Sequence, residues 1–168
     1  RFVSRNEPWK ESAAVVQTFA ACRGQVIPVV SEDGPYLRNL RFPDQYAPYI
    51  YGYYLNGFAK TRIFELTDID AGKLPPDIHA IIAERLKGTG CPIVAWSAHT
   101  PPDHYADKLM PELTAAVGAP APGYHLEKRE YFYYDQVIGA DKSSNPAFIV
   151  YVAPGPAPAK ISDDDDED

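Results

Sequence analysis

Four consecutive apolar residues, Ile93-Val-Ala-Trp96, stand between breakers: Gly88, Gly90 and Pro92 before them, Pro101-Pro102 after. The run is too short for a helix and has no polar alternation. It therefore predicts a strand covered on both faces, as in a parallel sheet. Ser97, His99 and Thr100 follow at its carboxyl end, the edge where open α/β sheets bind ligands. The rest of the chain can be placed by asking which side of this strand it covers.

Upstream, Asn6, Glu7 and Pro8 form a helix start, with a cap, a favourable charge and a proline tolerated in the first turn. Trp9, Ala13, Val16 and Ala20, joined by Val15 and Phe19, make an apolar stripe at helical spacing, and Gly24 ends it. Gln25 to Val30 reads as a strand despite Pro28, whose missing donor predicts a bulge or an irregular pairing. Tyr46 to Leu55 is tyrosine-rich and predicts a helix closed by Asn56-Gly57; its rings are expected to pack on the sheet. Thr61 to Leu66 alternates and predicts a second strand, ended by Thr67-Asp-Ile-Asp70. Helices are expected from Pro75-Pro76 to Lys87, with Ile78, Ile81, Ile82 and Leu86 inward, and from Pro101 to Gly118, kinked or interrupted at Pro111. Tyr124 to Val137 and Ala147 to Val152 predict a closing antiparallel hairpin.

These elements predict one α/β domain over residues 1–153, with a Pro/Ala linker and a disordered acidic tail over 154–168. The expected fold is a three-layer α/β/α sandwich, Rossmann-like or flavodoxin-like. Its sheet is mostly parallel, with about five strands and a C-terminal antiparallel hairpin.

The net charge of −7 comes almost entirely from the six acidic residues at positions 163–168. No basic stripe remains to neutralise phosphates, which argues against nucleic acid as a partner. His79, His99, His104 and His125 show no zinc spacing, and there is no phosphate-cradling glycine loop or nucleophile elbow. We therefore expect no cofactor, no metal and no catalytic residue. The candidate binding residues are those at the expected carboxyl edge: Ser31, Glu32, Asp33, Thr67, Asp68, Asp70, Ser97, His99 and Asp103. Cys22 and Cys91 both precede strands, at the opposite end of the sheet. If those strands are neighbours the sulfurs can bond; the alternative is two small buried thiols.

Two stretches carry a family resemblance: Pro8-Trp-Lys-Glu-Ser-Ala-Ala14 with the strand Val26-Ile-Pro-Val-Val30, and Pro92-Ile-Val-Ala-Trp-Ser-Ala-His99 with the elements that follow. Their order resembles the soluble C-terminal domain of bacterial polytopic membrane glycosyltransferases of the dolichyl-phosphate-mannose mannosyltransferase type. In that family the catalytic carboxylate lies in a loop between membrane helices, and no residue here matches it. The resemblance implies a non-catalytic periplasmic domain of an inner-membrane glycosyltransferase that uses a lipid-linked sugar donor. The domain would cover the active site or help bind the acceptor. Its partners would be the membrane portion of the same polypeptide and a lipid-linked sugar or glycan acceptor. The opening at Arg1, with no initiator methionine, fits membrane spans further upstream. The periplasm would also favour a disulfide. The rival readings are a stand-alone periplasmic binding module and a small α/β hydrolase acting through Ser97, His99 and Asp68.

Overall fold

The structure, a computed structural model, describes residues 9–31, 47–70, 72–97, 105–131 and 147–159. Its centre is the strand β3, Ile93–Ser97, in which all five residues are buried. Around it stand β1 (Val26–Ser31), β2 (Lys60–Glu65), β4 (Tyr124–Tyr131) and β5 (Ala147–Pro154), in the order β2-β1-β3-β5-β4. β1 pairs with β2 and β3 in parallel, whereas β5 runs antiparallel to both β3 and β4. The sheet is thus mixed, with as many antiparallel as parallel neighbours, rather than mostly parallel. The C-terminal strand pair does form, but it docks through its second strand. β5 inserts beside β3 and is buried from Ala147 to Ala153, and β4 becomes an edge.

Helices flank both faces. Residues of β5 divide by parity, as a strand requires. Ala147, Ile149, Tyr151 and Ala153 join one apolar cluster with Ile27, Val29, Ile93 and Trp96. Phe148, Val150 and Val152 join another with Val30, Phe64 and Val94. The first cluster is covered by α1 (Trp9–Gln17) and α2 (Ala47–Tyr54), which bring Ala13, Val16 and Tyr51, and by Leu55 just after α2. The second is covered by α3 (Leu66–Asp70), α4 (Pro76–Arg85) and α5 (Tyr105–Val117), with Ile69, Ile78, Ile82, Leu109 and Leu113. Each large side chain buried this way contributes about 1.5–3 kcal/mol. None of the helices among the described residues is long and apolar enough to cross a membrane.

Several boundaries differ from the sequence expectation. α1 stops at Gln17, where the Thr18 hydroxyl bonds back to the Val15 carbonyl at 2.6 Å, and a separate 3₁₀ turn, Ala20–Cys22, leads to the first strand. Ala20 is accordingly exposed rather than part of the inward stripe. Of the tyrosine-rich helix, Tyr51 is fully buried against Trp96 and accepts a hydrogen bond from Ser12 at 3.1 Å, while Tyr53 is 77% exposed. Thr67 to Asp70 end the second strand as expected, and do so within a short helix, Leu66–Asp70. α5 runs unbroken through Pro111, so of a kink or an interruption there, the interruption does not occur.

Pro28 leaves a clearer mark. β1 and β2 stay in continuous register through the Pro28–Arg62 pair, so there is no bulge on that side. Towards β3, pairing covers only Val29–Trp96 and Val30–Ser97. Below that point the two strands are joined by other means. The buried guanidinium of Arg85 donates to the Val26 carbonyl at 2.6 Å and to the Ile93 carbonyl at 2.7 Å. A disulfide joins Cys22 to Cys91 at the same end. An arginine fork and a covalent bond thus hold the strand ends where no β1–β3 pairing forms.

Candidate functional site

The carboxyl edge of the parallel strands is set by the register. Ser31 lies opposite Glu65, Val30 opposite Ser97, Ser97 opposite Phe148, and Tyr131 opposite Ala147. The strand ends carrying Ser31, Ser97 and the start of α3 therefore share one edge. Glu32, Asp33, His99 and Asp103 lie outside the described residues, and of Ser31 only the backbone is described.

The described candidates at this edge are engaged in local structure. Asp68 accepts a hydrogen bond from the Glu65 backbone N–H at 3.3 Å, which satisfies a donor at the start of α3. The Thr67 hydroxyl donates to the Glu65 carboxylate at 3.4 Å. Asp70 stands 3.7 Å from the Lys108 ammonium, which also meets Glu112 at 3.3 Å, so α3 and α5 are joined by an exposed ion-pair network. Ser97 differs: its hydroxyl is buried and has no hydrogen-bond partner among the described residues. No hydrogen bond links it to Thr67, Asp68 or Asp70. The edge brings these residues together in space but not into one constellation. Among the described residues no base hydrogen-bonds Ser97, as an activated nucleophile requires.

A second cluster was not singled out from the sequence. His125, Glu127 and Arg129 alternate along β4 and so share one face, against Tyr151 of β5 and Phe19. His125 is 8% exposed. Its Nδ1 bonds the Gly155 carbonyl at 2.8 Å and its Nε2 bonds Glu127 Oε1 at 2.7 Å. The Tyr151 hydroxyl donates to the other oxygen, Glu127 Oε2. Both ring nitrogens thus face acceptors, and only an imidazolium donates to both. The Glu127 carboxylate, then the Gly155 carbonyl, raise the His125 pKa above its ordinary value. The Tyr151 hydroxyl, then His125, hold Glu127 below the usual carboxylate range. Burial foremost, then Glu127, pushes the Tyr151 phenol up. The Arg129 guanidinium lies 5.1 Å from the centre of the Tyr151 ring and 5.9 Å from that of Phe19. With both imidazole protons and both carboxylate oxygens committed, the cluster offers no free general base. It ties β4, β5 and the chain beyond β5 to one another.

A groove of about 640 Å³ runs between α5 and the start of β4, lined by Met110, Pro111, Thr114, Pro120, Tyr124, His125 and Leu126. The Thr114 hydroxyl is occupied by the Met110 carbonyl at 3.0 Å, so the groove is largely apolar. Among the described residues no group of three His, Cys, Asp or Glu side chains is placed to hold a metal ion.

The signal for the β4 cluster is the i, i+2, i+4 spacing of His125, Glu127 and Arg129 on a strand. Its meaning depends on Tyr151 and Gly155, which only the pairing of β4 with β5 brings near. No family model matches the chain, and neither a curated protein nor a solved structure matches it.

Proposed function

We propose that this chain is a non-catalytic, extracytoplasmic accessory domain of a membrane glycosyltransferase that uses a lipid-linked sugar donor. It would cover the membrane active site or help bind the acceptor, on the periplasmic side of a bacterial inner membrane. The observation that carries the extracytoplasmic part is the Cys22–Cys91 disulfide, because disulfides form and persist in oxidising compartments. The glycosyltransferase part rests on the likeness of the Pro8–Ala14 and Pro92–His99 stretches. Within this reading the fold is a three-layer Rossmann-like or flavodoxin-like sandwich. The parallel strand order β2-β1-β3 and the apolar clusters on both sheet faces support it.

The test is sugar transfer from a polyprenyl-phosphate donor in membranes that carry the whole polypeptide, with and without residues 9–159. Loss of transfer with donor binding retained supports an accessory role. Unchanged transfer, or no transfer by the intact polypeptide, rejects it. The apolar groove along α5 favours a second reading, a stand-alone binding module. Sugar transfer separates the two, since only the accessory reading expects removal of residues 9–159 to abolish transfer; a thermal-shift screen of the isolated chain with polyprenyl phosphates and sugars then shows whether it binds either ligand.

A further inference from the structure

Arg85 is an unusual cation: it is 5% exposed, and among the described residues no carboxylate pairs with it. Its three acceptors are the Val26 carbonyl, the Ile93 carbonyl and the Sγ of Cys91, the last at 3.1 Å from Nη1. Burying a charge without a counter-charge is costly, and dipoles offset it only in part. The effect is visible in the group itself, whose pKa burial lowers to about 10. A disulfide sulfur is a weak acceptor, whereas a thiolate at the same position is an anion in direct contact with the fork. The missing counter-charge therefore lies one bond cleavage away. The two sulfurs are not equivalent. Both belong to the same buried apolar cluster, Cys22 fully buried and Cys91 4% exposed, but the hydrogen bond from Arg85 goes to Cys91. Cys91 follows Thr89 and Gly90, both exposed.

We propose that Cys91 is a latent nucleophilic site: reducing the Cys22–Cys91 bond leaves a Cys91 thiolate paired with Arg85, reactive towards small disulfides and other soft electrophiles, while Cys22 remains a neutral buried thiol. A dithiol reductant supplies the two electrons. Its own sulfurs couple to a cyclic disulfide as the protein S–S bond breaks. Of the two protons it gives up, one stays on Cys22 and the other passes from Cys91 to solvent. With a small disulfide, the Cys91 sulfur then forms a mixed disulfide and expels a thiolate; with an alkyl iodide it forms a carbon–sulfur bond and expels iodide. The proposal is independent of any role in sugar transfer.

Two single-thiol variants test it without a reductant. Cys22→Ser leaves Cys91 beside Arg85, and Cys91→Ser leaves Cys22 alone. The readout is the rate of iodoacetamide alkylation from about pH 5 to 10, alongside the ultraviolet absorbance of the thiolate. In Cys22→Ser, Cys91 should titrate at least about one unit below the ordinary ~8.5 and be alkylated about tenfold faster near neutral pH than Cys22 in Cys91→Ser. Adding Arg85→Met to Cys22→Ser should abolish that advantage, and Arg85→Lys should retain part of it. Overlapping titrations of the two thiols overturn the proposal, whether the cause is a folded chain without the ion pair or a chain that unfolds once the bond is lost. Titration of Cys91 above the ordinary range overturns it too.

Discussion

His125 shows how one side chain ties folding to pH. Its imidazole holds Glu127 on one side and the Gly155 carbonyl on the other, and Tyr151 completes the carboxylate's shell. The folded-state pKa of His125 is raised. Its contribution to stability is therefore fully present below the unfolded value of about 6.5 and is lost as pH rises through the folded value. Glu127 is shifted down, so its contribution is present above the unfolded value of about 4.3 and is lost as pH falls through the folded value. The pair stabilises most between those two unfolded values. Urea midpoints should fall from about pH 6 to pH 9 in the parent protein, and His125→Gln should flatten that fall. Parallel profiles for the two proteins would remove the imidazolium from the account.

The turn between α4 and β3 provides a test at the scale of elements. Gly88 and Gly90 both sit at φ +78°, a region that a side chain enters at a cost of roughly 1–2 kcal/mol. They differ in what surrounds them. A Cβ on Gly90 meets open space, whereas one on Gly88 falls against the Tyr124 ring at the start of β4. Gly90→Ala should cost about 1 kcal/mol and Gly88→Ala clearly more, and Tyr124→Ala should recover the difference. Equal costs in denaturant melts would mean that Tyr124 does not pack there. The disulfide belongs to the same scale. It joins residues 69 apart, and in the loop-entropy model its removal should lower the unfolding free energy by about 4 kcal/mol. Melts of the parent protein and of Cys22→Ala/Cys91→Ala measure this.

Element by element, the sequence was most legible where local pattern and burial agree. Ile93 to Trp96 read as a sheathed strand, and Ile78, Ile82, Leu109 and Leu113 marked the inner faces of their helices. Asp68 was harder to place. A carboxylate after a strand reads as an edge ligand, yet here it accepts from the backbone of Glu65 at a helix start. Arg85 gave no warning at all. It occupies the last turn of an amphipathic helix, where a basic residue ordinarily faces water. Only the crossing of α4 over the amino ends of β1 and β3 sends it inward. The His125 cluster was hidden for a related reason, since its partner Tyr151 is 24 residues from Glu127 in the chain.

For the molecule as a whole, the two ends of the sheet do different work. At the amino end a disulfide, an arginine fork and main-chain bonds close the structure. At the carboxyl end the buried Ser97 hydroxyl has no partner among the described residues, and a short acidic helix follows β2. The bond at the base is the feature on which the proposed extracytoplasmic setting rests. The most direct test is therefore the state of the two cysteines in the cell. Intact cells are treated with a membrane-permeant maleimide at the moment of lysis, and the Cys22 and Cys91 peptides are then read by mass spectrometry without reduction. A cross-linked Cys22–Cys91 peptide pair is predicted; two separately alkylated thiols would contradict both the closed base of the sheet and the extracytoplasmic role built on it.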